Sequence, residues 1–98
     1  MSSFSALNFH EKLIRALDHP ECLTLQRVIW IIGNLRLEKA VPKLSILAKN
    51  CQDFVIVSEI INTLIKIGGA EAVKIVEDLS AHTSGIIRKY ASEALNLI

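Results

Sequence analysis

The sequence predicts an all-α solenoid of six helices in three pairs, and two observations predict it. First, the chain nearly repeats itself. The segment IIGNLRLEKAVPKL at 31–44 returns as TLIKIGGAEAVKIV at 63–76, and a partial copy, ALNLI, occupies 94–98. A fixed period of about 32 residues marks stacked helical units, each burying its apolar face on the next. Second, the apolar residues fall at helical spacing. Ile60, Ile61, Leu64 and Ile67 follow i, i+1, i+4, i+7, the stripe of a buried helix face. Runs such as VIWII and FVIV satisfy strand propensity as well, which leaves an α/β fold as the rival. The repeat and the length of the periodic segments favour helices.

The elements follow in order. The first helix covers about 9–17, and Pro20 marks the turn after it, because proline disfavours helix at the residue before it. The second runs over about 23–35. The third starts near Lys39 and tolerates Pro42 in its first turn, where a missing N–H costs nothing. Asp53 is the expected N-cap of the fourth, which reaches Ile67 and stops at Gly68-Gly69. The fifth covers about 71–80. Ser84 is expected to cap the sixth, which continues to the last residue. The chain therefore reads as one domain, 1–98, with repeats at about 9–37, 38–69 and 70–98.

Composition narrows the function. The chain is 51% apolar, with a mean hydropathy of +0.40, yet no apolar run reaches the ~18 residues of a membrane span. Residues Met1 to Ser5 lack a basic start and a following apolar stretch, so no signal peptide is expected and a cytoplasmic location is. Net charge is +1, with acids and bases interspersed. Nucleic-acid binding, which wants a basic stripe, would rest on Arg27, Lys66, Arg88 and Lys89 alone. Cys22 and Cys51 are too few for a disulfide framework and lack metal spacing, which predicts reduced thiols.

No enzyme is expected. No serine lies in a Gly-x-Ser-x-Gly turn, and Gly68-Gly69 is not followed by the residues of a phosphate loop. Glu77 and Asp78 are sequence neighbours, so on a helix they point ~100° apart and do not converge. No cofactor or metal is implied. His10, His19 and His82 read as scattered surface histidines.

Superimposing the copies gives columns. Val28, Ile60 and Ala91 share one; so do Ile31, Thr63 and Ala94; Ile32, Leu64 and Leu95; and Leu35, Ile67 and Ile98. Val41 pairs with Val73 and Leu44 with Val76. These columns should bury against neighbouring repeats. The columns that stay polar are the candidate binding surface. Arg27, Trp30 and Asn34 lie at i, i+3, i+7 of the second helix. Their counterparts are Glu59, Asn62 and Lys66, then Tyr90, Glu93 and Leu97, flanked by Gln26, Ser58 and Lys89. The candidate partner-binding set is thus Gln26, Arg27, Trp30, Asn34, Glu59, Asn62, Lys66, Lys89 and Glu93. Trp30 either anchors a partner, as tryptophans at interfaces often do, or packs as an additional core residue. Arg27 with Glu59, and Lys66 with Glu93, are candidate ion pairs between repeats.

Three segments carry a resemblance. IRKYASEALNLI at 87–98 resembles the second helix of HEAT repeats of the phycobilisome-lyase type. IGGAEAVKIV at 67–76 resembles the turn and following helix of that group. The copy at 31–44 is similar too, with Leu37 and Glu38 in place of the usual acidic-proline turn. The resemblance covers about 10–98. It implies a right-handed α-α superhelix whose second helices line the concave side, and a scaffold for binding another protein. It also implies, as the alternative, a bilin lyase-like or phycobiliprotein accessory role. Some HEAT-fold enzymes, the deoxyhypusine hydroxylases, hold two irons with several His-Glu dipeptides. This chain has one, His10-Glu11, and its aligned junctions read Val41-Pro42 and Val73-Lys74. Leu95, Leu97 and Ile98 on the last helix suggest self-association there.

Overall fold

The structure, a computed structural model, describes residues 6–18, 21–51 and 53–96. The described residues form six α-helices and no strand: α1 (Ala6–Ala16), α2 (Cys22–Leu35), α3 (Val41–Asn50), α4 (Phe54–Ile67), α5 (Gly69–Leu79) and α6 (Gly85–Leu95). A 3-10 turn, Glu38–Ala40, leads into α3. The second helices of the pairs, α2, α4 and α6, pack side by side with α4 in the middle. Helix α1 lies on α2, α3 lies on α4 and α5, and α5 lies on α6. The molecule extends 49 × 27 × 16 Å. The shortest dimension is that of two helix layers whose axes stand about 10 Å apart.

Apolar columns build the core. Val28, Ile60 and Ala91 are all buried, as are Leu44 and Val76, and Ile32 and Leu64. Thr63 sits in an apolar column yet is buried. Its hydroxyl donates to the Ile29 carbonyl at 3.1 Å, which removes the cost of an unpaired hydroxyl. A Cβ on Gly33 would stand 3.0 Å from Thr63 Oγ1, so glycine is what lets α2 and α4 approach this closely. The column of Leu35 and Ile67 differs from expectation. Leu35 is exposed and Ile67 half-buried, because each is the last residue of its helix, at the margin of the stack. Helix α6 ends at Leu95 with Asn96 as its C-cap, short of the expected continuation to the last residue. Pro20, His19, Leu97 and Ile98 lie outside the described residues, and so does the expected turn at Pro20.

Helix ends divide into those the sequence announces and those it hides. Asp53 Oδ1 accepts from the backbone N–H groups of Val55 at 2.9 Å and Ile56 at 3.4 Å, the N-cap expected of it. Gly68 ends α4 with φ 74, and its N–H bonds the Leu64 carbonyl at 2.9 Å. Ser84 is the N-cap residue of α6, but its side chain makes no capping bond. Its N–H instead donates to His82 Nδ1 at 2.9 Å. The expectation of a surface histidine at 82 is thereby corrected. His82 is only 8% exposed, held in the α5–α6 turn, where its imidazole receives a backbone donor.

Arg36 of the first repeat and Gly68 of the second hold equivalent positions. Both have positive φ, and Arg36 is left-handed at φ 52 and ψ 52. Its N–H and that of Leu37 close the end of α2 on the carbonyls of Gly33 and Ile32, each at 3.2 Å. A side chain carries a Cβ penalty there that glycine does not. Arg36→Gly is therefore expected to stabilise the fold by about 0.5–1 kcal/mol, raising the melting temperature by a few degrees in circular dichroism. A lower melting temperature would show that the arginine side chain supplies a compensating contact.

The outer face of α6 also departs from expectation. Leu25 and Val57 are buried, but the third member of their column is Arg88, which is exposed. Ile29 and Ile61 are buried, but the third member of theirs is Ser92, also exposed. The side that α2 and α4 bury against the next repeat is thus polar in α6. Its described part offers a second copy Arg88, Ser92 and Asn96, with Leu95 half-buried. Of the three residues on which self-association is expected, Leu97 and Ile98 lie outside the described residues.

Candidate functional site

The candidate surface is the solvent-facing stripe of α2, α4 and α6. At 100° per residue, Arg27, Trp30 and Asn34 fall within about 60° of one another on α2, opposite the buried Leu25, Ile29 and Ile32. Trp30 is 55% exposed. The reading of Trp30 as an additional core residue does not match this position. Asn34, Asn62, Lys66, Lys89 and Glu93 are exposed as well, whereas Gln26 and Glu59 are half-buried. All nine candidate residues therefore reach the surface on three adjacent helices.

The expected ion pairs do not form: neither Arg27 with Glu59 nor Lys66 with Glu93 comes within ion-pair distance, and the salt bridge among the described residues joins Lys43 to Asp18. The reason is side-chain competition. Lys66 Nζ turns to the Asn34 amide oxygen, a long contact of 3.5 Å. Asn62 accepts from the Tyr90 hydroxyl at 2.9 Å. Side-chain hydrogen bonds to the two asparagine amides thus tie the stripe together across repeats, α2 to α4 and α4 to α6. Tyr90 is held further by an edge-to-face contact with Phe54, ring centroids 5.5 Å apart and planes at 83°. Such a contact adds about 0.5–1.5 kcal/mol beyond area burial. A recess of about 300 Å³ lies beside it, lined by Asn62, Tyr90, Glu93 and Ala94.

Arg88 is exposed but partly engaged within its own turn. Its Nη1 donates to the carbonyls of His82 at 2.9 Å and Thr83 at 3.2 Å, fastening the turn before α6. Of the four cations that a nucleic-acid reading requires, one is structural.

Two features escaped the sequence. One is a second recess of about 210 Å³ between the end of α1 and α3, lined by Leu17, Asp18, Lys43, Ile46, Leu47 and Asn50. Its ion pair, Lys43 Nζ to Asp18 Oδ2 at 2.9 Å, joins residues from different columns, so no alignment of repeats signals it. The other is a set of exposed aliphatic residues at the start of α2, α4 and α6. The same columns would have revealed it had they been extended one turn earlier.

Cys51 is a free, half-buried thiol; the side chain of Cys22 lies outside the described residues. No described helix is long and apolar enough to cross a membrane. A family model described as HEAT repeats matches residues 11–96. No curated protein and no solved structure matches the chain.

Proposed function

Since the chain belongs to the HEAT-repeat family, we propose that it is a non-catalytic scaffold that binds another protein on the face formed by α2, α4 and α6. HEAT repeats generally mediate protein–protein interaction, and in this reading the face that does so is the one lined by the second helices of the pairs. The carrying observation is Trp30. It stands more than half exposed on the stripe of a helix whose opposite side is fully packed. Exposing a tryptophan leaves a large apolar area in water, and tryptophan is enriched among residues that dominate binding energy. The Tyr90–Asn62 hydrogen bond and the longer Lys66–Asn34 contact orient neighbouring side chains of the stripe, which lowers the ordering cost of association. The polar outer side of α6 favours a different protein over a second copy stacked end to end. The bilin-accessory alternative rests on the subgroup resemblance alone. The recess beside Tyr90 stands at the lower limit of small-molecule sites, which favours the scaffold reading.

The test compares wild type with Trp30→Ala in quantitative capture from native lysate, followed by affinity measurement on the captured protein. Loss of about 2 kcal/mol, roughly 30-fold in Kd, is expected, with the melting temperature unchanged within about 2 °C. Equal capture by the two proteins would sink the reading, and so would unfolding of the variant.

A further inference from the structure

Each of the helices α2, α4 and α6 carries a large aliphatic residue at its second position: Leu23, Val55 and Ile86. Each falls at the same place in its repeat, so the three form one column. They are 64%, 51% and 58% exposed. A lone exposed leucine is ordinary. The same position left open in all three repeats is not explained by stacking, because the columns that stack are buried. Trp30 follows Leu23 by two turns on the same stripe.

We infer that Leu23, Val55 and Ile86 form an apolar rail that receives an amphipathic helix of the partner protein, laid across α2, α4 and α6. This rests on the scaffold reading and specifies the partner's chemistry. Axes of packed neighbouring helices stand about 8–10 Å apart, and seven residues of α-helix rise about 10.5 Å. A helix with apolar residues at i, i+7 and i+14 therefore meets all three members of the rail. An extended strand does not, since its faces alternate with every residue. A polyproline helix repeats every ~9.3 Å, but such segments dock in aromatic-lined grooves, and this rail is aliphatic.

Charge supplies the register. About one turn further along stand Arg27 on α2 and Glu59 on α4, which share a column, and Lys89 on α6, one position before that column's Tyr90, a plus, minus, plus order. The matching helix carries acid, base, acid beside its heptad-spaced apolar residues; the inverse order is repelled at each step. Exposed pairs are individually worth about 0–1 kcal/mol, so the rail supplies affinity and the charges choose the partner.

The test is fluorescence anisotropy with three labelled peptides, each about 21 residues long so that a helix spans the three axes. The first has leucine every seventh residue with acid, base, acid in phase. The second reverses those charges. The third is proline-rich with leucine every third residue. Each is titrated with wild type, with Trp30→Ala, and with the triple variant Leu23→Ser, Val55→Ser, Ile86→Ser. Wild type should bind the in-phase peptide about tenfold or more tighter than the other two, and the triple variant should lose about tenfold or more. Matched melting curves establish that the triple variant is folded, and Leu23→Ser alone serves if it is not. Undiminished binding by the folded variant, preference for the proline-rich peptide, or no binding of the in-phase peptide overturns the inference. Loss in Trp30→Ala with the triple variant unaffected removes the rail but leaves the scaffold reading standing. Indifference to both variants removes both.

Discussion

Leu64→Ala is expected to destabilise the fold by about 3 kcal/mol, the largest loss of any single truncation considered. Leu64 is fully buried on α4, the middle helix, which packs against α2 and α6 and against α3 and α5. Removing three carbons forfeits their transfer energy and leaves a cavity that a helix held on all sides cannot collapse to fill. For a domain of this size each kcal/mol moves the melting temperature by roughly 4–8 °C, so a fall of more than about 10 °C is expected by circular dichroism. Leu95 is the internal control: it occupies the same column on α6 and is only half-buried. Leu95→Ala should cost less than half as much. Equal losses would mean that α6 is packed as fully as α4 and that its outer side is covered in solution.

The second large effect is a reversal of sign. Gly33→Ala would place a Cβ 3.0 Å from Thr63 Oγ1 and 3.3 Å from Cγ2, tighter than ordinary van der Waals contact, so that Thr63 has to give by a few tenths of an ångström. Alanine gains up to ~1 kcal/mol over glycine inside a helix, but overpacking a close helix contact costs about 1–3 kcal/mol. In the wild-type background the substitution should therefore destabilise, and Gly33→Val should cost about 2 kcal/mol or more. In the Thr63→Ala background the obstructing atoms are gone, and Gly33→Ala should become stabilising by up to ~1 kcal/mol. Thr63→Ala removes a hydroxyl donor but leaves no orphan, because the Ile29 carbonyl also lies within the helix ladder of α2. Chemical denaturation of the four proteins reads the coupling directly. Additive effects would show that the two helices separate freely at this point.

These two predictions lie on different sides of what a sequence discloses. Leu64 was legible: its column is apolar in every copy, and burial followed. Asp53 and Gly68 were legible because an N-cap and a positive-φ helix end require particular residue types. Gly33 was not. It shares no column with another glycine, and its reason is the single side chain of Thr63, on a different helix in the next repeat. Arg36 was hidden for the opposite reason, since an arginine stands where the backbone geometry prefers glycine. The turn at His82 misled because the histidine ring accepts the Ser84 N–H and is buried in doing so, while the Ser84 hydroxyl makes no capping bond.

The candidate site shows the same division. Polar columns identified the stripe, and all its described members do reach the surface. Their partners were misassigned. Opposite charges on neighbouring helices suggested Arg27–Glu59 and Lys66–Glu93, but the bonds formed are Tyr90–Asn62 and Lys66–Asn34. Exposed ion pairs gain too little to dictate side-chain direction, so local packing decides.

By itself the sequence determined the stack: a near-constant period repeats one helix pair, and each copy can bury its apolar face only on the next. It also pointed to most of the buried residues, because apolar columns such as Val28, Ile60 and Ala91 at helical spacing bury where the copies stack. Only the tertiary structure decided that Trp30 stands in solvent, that α6 turns a polar side outward, and that Leu23, Val55 and Ile86 remain open together. Exposure is a property of what lies opposite a residue. A repeat specifies its neighbours on the stacking sides, but the solvent-facing side has none, and its state is set when the helices come together.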